Sequence, residues 1–293
     1  VMTATALVLT ILNFGLLLPF FGHVFSFLEP TNLISEIDDR TRDTLDEVMG
    51  SAPTQGLRQA QVRIATGVDR IADNCMAAVS MSDRNLAIHS IRTMEHFATH
   101  YLDSKKNLPE GWAVVEWDVF GTLSQEFVDD IVLQNTWLEA KSLMEFERIL
   151  RRALHEMTEV VSQIARSTRV IGVHASECNE TETLGLTIQF FNTYIRHGLN
   201  QRNIRAVYNV LYEYRQLAIA VQGTRPELAK KIVEHLVYYG RTANDLGIPF
   251  VTVTVAHDVR VICQNAHADG GHTPDDILEL FLMLDQPVEG ESN

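Results

Sequence analysis

Basic residues are scarce in this chain. Lys and Arg number 24 against 38 Asp and Glu, a formal net charge of −14. That argues against a dedicated nucleic-acid binder, which needs a basic stripe to displace phosphate counterions. Cysteine is scarcer still. Cys75, Cys178 and Cys263 are odd in number and far apart, which argues against a disulfide framework and a cysteine-rich zinc site. Unpaired thiols favour a reducing compartment. A glycine-rich phosphate loop, a GxSxG elbow and a useful carboxylate pair are all missing. Low-complexity sequence is missing too. With 46% hydrophobic and 21% charged residues over 293 positions, the chain suits one or two packed domains.

The most informative absence is local. Residues 1–28 contain no Asp, Glu, Lys or Arg. About 20 apolar residues suffice for a helix to cross the hydrocarbon core, so a transmembrane helix is expected there. Gly15, Pro19 and Gly22 are tolerable inside a membrane helix. No basic leader precedes the run, which argues against a signal peptide. The chain is expected to begin inside or just before a membrane helix that could be the last of several. Arg40 and Arg42 in the acidic flank give a cytoplasmic vote by the positive-inside rule. The expected location is a bacterial inner membrane, with the soluble domain on the cytoplasmic side.

From residue 29 to about 285 the pattern is helical, with a frayed tail at 286–293. Apolar residues recur at helical spacing over 32–49, 55–80, 84–103, 124–134, 136–168, 183–199, 202–221, 226–245 and 251–267. Residues 250–255 (FVTVTV) are β-branched but continue into a helical pattern and are read as helix. The segment 112–120 (WAVVEWDVF) is the one small β element expected. The fold class is therefore all-α: a transmembrane helix followed by a helical bundle or α-solenoid-like soluble domain. Two related halves, about 55–110 and 180–245, are suggested by a shift of 118 that lays Asn74, Arg84, Asn85 and Glu95 on Asn192, Arg202, Asn203 and Glu213.

Three stretches carry a resemblance: RIADNCMAAVSMSDRNLAIHSI (70–91), FFNTYIRHGLNQRNIRAVYNVLYEYRQLA (190–218) and HLVYYGRTANDLGIPFVTVTVAHDV (235–259). With the apolar N-terminus, they resemble a bacterial family of predicted membrane proteins known only as a domain of unknown function. Its members have an Asn-Asp-Pro turn where this chain has Ser82-Asp83-Arg84. The resemblance implies transmembrane helices before a helical soluble domain. It implies no reaction and no functional residue.

Few residues invite chemistry. His89, His96 and His100 share one helical face with Asn85, Arg92 and Asp103, opposite Ile91, Met94, Ala98 and Tyr101. The His96–His100 spacing suits a metal-binding pair, yet a solvated polar face is the preferred reading, and no metal or cofactor is assigned. His257-Asp258, with His235, His267 and His272, is compared with helical metal phosphohydrolases and read as structural. Cys178 lies among Glu177, Glu180 and Glu182, which should raise its pKa and make it a poor nucleophile. Lys141, Arg148, Arg151 and Arg152 are balanced by Glu139, Glu145, Glu147 and Glu156, as on a solvated or intersubunit helix. Phe190, Phe191, Tyr194, Tyr208, Tyr212, Tyr214, Tyr238 and Tyr239 are expected in the core.

These readings favour a membrane-anchored interaction or scaffold protein without catalytic residues, an accessory subunit of a larger membrane complex. Its expected partners are membrane lipid and either other proteins or further copies of itself, not nucleic acid. The alternatives are a metal-binding protein or hydrolase using the His89/His96/His100 face, and a component of a transport system. The 136–168 helix, taken as one element of roughly 50 Å, is expected to meet another subunit or protrude beyond the bundle, with Leu150 and Leu154 either at that contact or in the core.

Overall fold

The computed structural model describes Gly15 and residues 29–50, 56–116, 119–120 and 124–268, with the backbone alone for 266–268. The expected transmembrane segment (1–28) and frayed tail (286–293) thus lie outside the described residues, apart from Gly15. Among those residues no helix is long and apolar enough to cross a membrane.

The described chain is all-α. Its helices are α1 (Pro30–Gly50), α2 (Leu57–Ser80), α3 (Arg84–Ser104), α4 (Gln125–Leu133), α5 (Trp137–Glu156), α6 (Thr158–Glu177), α7 (Thr181–Asn200), α8 (Ile204–Val221), α9 (Pro226–Asp245) and α10 (Pro249–Ala268). A 3₁₀ turn, Lys105–Asn107, follows α3. They stand in two rows. One row runs α2, α5, α7, α9 and the other α3, α6, α8, α10, each helix packed on the next. Cross-row contacts join α2 to α3, α5 to α6, α7 to α8 and α9 to α10. Helix α1 packs on α2 and α3 at one end, and α9 with α10 forms the other.

Local chemistry places the helix ends. Asp83 caps α3 by accepting from the Leu86 N–H (3.0 Å), and Asn203 caps α8 by accepting from the Ala206 N–H (3.1 Å). Pro226 opens α9, where its missing N–H costs nothing. Five corners share one left-handed residue: Ser82, Asn135, Asn179, Arg202 and Gly247, with φ between 52° and 71°. In each the next residue donates five residues back along the chain: Asp83 N–H to Ala78 O, Asn203 N–H to Gly198 O and Ile248 N–H to Ala243 O close the ends at 2.8–3.0 Å.

These corners fix an internal register. Ser82 and Arg202 occupy the same turn position, 120 residues apart, and the capping Asp83 and Asn203 follow them. At that shift the buried Ile64, Val68, Ile71, Ala87, Ile91 and Phe97 match the buried Leu184, Ile188, Phe191, Val207, Leu211 and Leu217. The 118-residue register is therefore displaced by two: Arg84 begins a helix, whereas Arg202 sits in the left-handed turn.

Two further expectations need correction. Residues 136–168 are not one helix. Met157 leaves the helical region (φ −153°, ψ 80°) and separates α5 from α6. Neither glycine nor proline marks this break, so sequence punctuation could not reveal it. Leu150 and Leu154 are buried in the core, and the long protruding helix disappears with them as its contact. Nor is 112–120 a strand among its described residues. Trp112 and Val114 lie in turns, closed by Trp112 N–H to Pro109 and Val114 N–H to Gly111 (both 3.1 Å). No neighbouring strand is needed for their carbonyls, because the buried Gln61 side chain donates to Trp112 O (2.9 Å) and Val114 O (3.0 Å). By contrast FVTVTV is helical. Val251, Val255, Val259 and Ile262 form one buried row, so spacing outweighs β-propensity.

Candidate functional site

The histidine face of α3 does not gather into a site. His89 and His96 are seven residues apart, about 10.5 Å along a helix axis, too far to share an ion. Instead α1 packs against α3. His100 Nε2 lies 3.7 Å from Asp46 Oδ1, and the opposite face with Ile91, Met94, Ala98 and Tyr101 is buried as expected. His257 is exposed and its neighbour Asp258 is buried, receiving Arg215 Nη1 at 2.6 Å. Burial raises the Asp258 pKa, and Arg215 restrains it. Arg215 also stacks over Tyr212 (4.9 Å). This pair ties α8 to α10. His272 lies outside the described residues, and His267 is described by its backbone alone.

The charges of α5 divide: Glu139, Lys141 and Glu145 are buried, whereas Arg148, Arg151, Arg152 and Glu156 are exposed. Lys141 meets Asp69 at 2.6 Å and Arg148 meets Asp73 at 2.8 Å, joining α5 to α2, while Glu147 meets His197 at 2.9 Å. Deeper lies a cluster missed in the sequence. Lys105 Nζ contacts Glu139 Oε1 at 2.6 Å and Glu180 Oε2 at 2.7 Å, and Thr183 donates to Glu139 Oε1 at 3.0 Å. The side chains of Lys105 and Glu139 are 3% and 0% exposed. Burial raises the Glu139 pKa, with Lys105 opposing it; burial depresses Lys105, but Glu139 and Glu180 outweigh it and the net shift is upward. Such a cluster fastens the end of α3 to α5 and to the start of α7. No sequence signal could pair residues 34 apart across different helices.

An open cleft of about 550 Å³ lies between α7 and α9, lined by Gln189, Asn192, Thr193, Arg196, His235, Tyr238 and Tyr239. Asn192 Nδ2 donates to His235 Nδ1 (2.9 Å), and the Tyr214 hydroxyl lies 3.1 Å from the same nitrogen. With Nδ1 accepting, the neutral ring carries its proton on Nε2 and can only donate into the cleft. Burial, then nearby Lys231, lowers the His235 pKa. The ring is thus a polar wall rather than a general base. Phe191 and Tyr214 stack at 4.8 Å beneath it. Phe190, Phe191, Tyr194, Tyr214 and Tyr239 are core, Tyr208 packs partly buried against it, and Tyr212 and Tyr238 are exposed.

Two further features lie at the surface. At the ends of α3 and α6, Asp103, His174 and Cys178 bring a carboxylate oxygen, a ring nitrogen and a sulfur within 4.8 Å of one another. At the end of the array, α10 exposes Phe250 (70%) and Val253 (69%), beside the corner residue Leu246 (40%). Compared with protein-family models, curated proteins and solved structures, the chain finds no match. The resemblance to a membrane-protein family rests on the quoted motifs alone.

Proposed function

We propose that this chain is a membrane-anchored helical interaction module, an α-solenoid-like array that docks a protein partner at its α9–α10 end. The supporting observation is the exposed apolar row of α10. A helical array normally closes each end with a polar outer face, and α10 instead presents Phe250 and Val253 one turn apart, with Leu246 beside them. The net charge of −14 selects the partner's chemistry: an apolar protein surface rimmed by Lys and Arg, rather than an anionic bilayer. The uncharged run of residues 1–28 supplies the anchor. Lys141, Glu145 and Arg148 of α5 are engaged in ion pairs within the array, which favours a structural over a catalytic use of them.

The test is the mass of the full chain extracted in mild detergent. The expected result is a complex larger than a monomer that dissociates in high salt and is lost in the double variant Phe250→Ser/Val253→Ser with unchanged circular dichroism. A monodisperse monomer, or a complex untouched by the double variant, would overturn the reading. A particle of two identical chains would replace the basic partner by self-association.

A further inference from the structure

We propose that Asp103, His174 and Cys178 form a zinc site that clamps the end of α3 to the end of α6. The proposal does not rest on the interaction reading, since it concerns a different surface. His174 and Cys178 are one helical turn apart on α6, so their side chains share a face. Asp103 comes from the last turn of α3, which packs on α6. His174 Nε2 lies 2.8 Å from Asp103 Oδ1, and Cys178 Sγ lies 3.8 Å from the same oxygen. Around tetrahedral zinc, with bonds of about 2.0–2.3 Å, ligand atoms stand about 3.4–3.6 Å apart. Movements of about half an ångström would bring these two contacts to that spacing, and the His174 and Cys178 ligand atoms, within 4.8 Å of each other, need to close by no more than about 1.3 Å.

Three features of the surroundings favour a cation. Two helix C-termini converge here, and each carries a partial negative charge on its last carbonyls. The second ring nitrogen of His174 lies 3.4 Å from Glu177 Oε2. A carboxylate on the far nitrogen is the arrangement that orients a zinc-bound imidazole and raises its basicity. The group is also at the surface, with Asp103 exposed and His174 and Cys178 half-buried, so an ion can enter. Lys106 is the opposing cation nearby. Asp103 and Glu177 together exceed its charge.

The chemistry balances simply. Without a metal the Cys178 thiol keeps its proton, because burial and then Asp103 raise its pKa. Zinc binding forms a Zn–S bond as the S–H proton leaves for solvent; the proton that His174 Nε2 shares with Asp103 leaves that site and is carried instead on Nδ1 facing Glu177, so that Zn–N and Zn–O bonds replace the hydrogen bond. Softness selects the metal: one thiolate, one imidazole and one carboxylate suit zinc far better than magnesium or calcium. Three protein ligands leave the fourth position to water or another ligand.

The experiment uses the full chain in mild detergent, stripped with chelator and titrated with Zn²⁺, then with Co²⁺ as a spectroscopic probe. About one zinc per chain should bind, and Co²⁺ should give a thiolate charge-transfer band with tetrahedral ligand-field bands. Cys178→Ser should abolish the charge-transfer band, and His174→Ala should weaken zinc at least tenfold. Glu177→Gln should weaken zinc about 10- to 100-fold while keeping the band. Cys75→Ser and Cys263→Ser should change neither. Absence of stoichiometric zinc, or of the thiolate band in the unmodified chain, would overturn the site whether or not the variants fold. Undiminished zinc in folded Cys178→Ser would overturn it equally.

Discussion

Replacing Lys105 by Met removes the only ammonium, among the described residues, within bonding distance of Glu139, whose side chain is fully buried. Glu180 also loses its partner, but it is 20% exposed and can turn to water. Glu139 has no such escape, and its Oε2 already lacks a hydrogen-bond partner. Stranding a buried charge in this way costs about 3–5 kcal/mol. Screening reduces that little, since neither Lys105 nor Glu139 meets solvent. Glu139→Gln should cost less, about 1–3 kcal/mol, because Lys105 keeps Glu180 at 2.7 Å. The double variant should fall well short of the summed losses, as coupled neighbours do.

The pH dependence gives the sharper signature. The folded-state pKa of Glu139 is raised by burial and restrained by Lys105; without Lys105 it rises further. A carboxyl raised in this way supports the fold below its unfolded pKa and withdraws that support as pH climbs through its folded value. The Lys105→Met deficit should therefore be largest near pH 7 and shrink on acidification toward about pH 5. Urea denaturation followed by far-UV circular dichroism measures it. A deficit below about 1 kcal/mol, or one that grows on acidification, would refute the reasoning.

Asn203→Ala should cost more than Asp83→Ala in the same assay. Both remove a helix cap worth about 1 kcal/mol, but Asn203 also donates to Leu154 O at 2.8 Å near the α5 end. Gly198→Ala should destabilise by about 1–3 kcal/mol, since an added Cβ would stand 2.7 Å from Val207 Cγ2; unchanged stability would show that α7 and α8 can part without loss. Leu150→Glu should unfold the array rather than release a partner, seen as lost helical ellipticity, because that side chain is fully buried. Residues 1–28 should hold the full chain in the carbonate-washed membrane pellet, and release into the supernatant would contradict the anchor.

Much of the fold was legible from spacing. The rows Val251, Val255, Val259 and Ile91, Met94, Ala98 declared their helices whatever their β-propensity. The helix starts expected at 84 and 226 fall where α3 and α9 begin. The Met157 break did not show, because a methionine outside the helical region is imposed by the packing of α5 and α6 and not by its own chemistry. The expected 112–120 strand misled for a related reason: Val115 and Val119 pack on the bundle, and a distant Gln61 satisfies the carbonyls of Trp112 and Val114. Candidate sites were the least legible part. His174 and Cys178 show a recognisable spacing, but Asp103 joins them only because α3 packs on α6. Lys105 and Glu139 likewise meet through tertiary packing alone.

The most direct test of the interaction reading is site-specific photo-crosslinking in intact membranes, with the reactive side chain at position 250 or, as a control, at the exposed Met81 in the α2–α3 corner. Position 250 should yield one discrete protein adduct that high salt suppresses, and position 81 should yield none. Equal adducts at both positions, lipid adducts alone, or no adduct at position 250 would contradict the account.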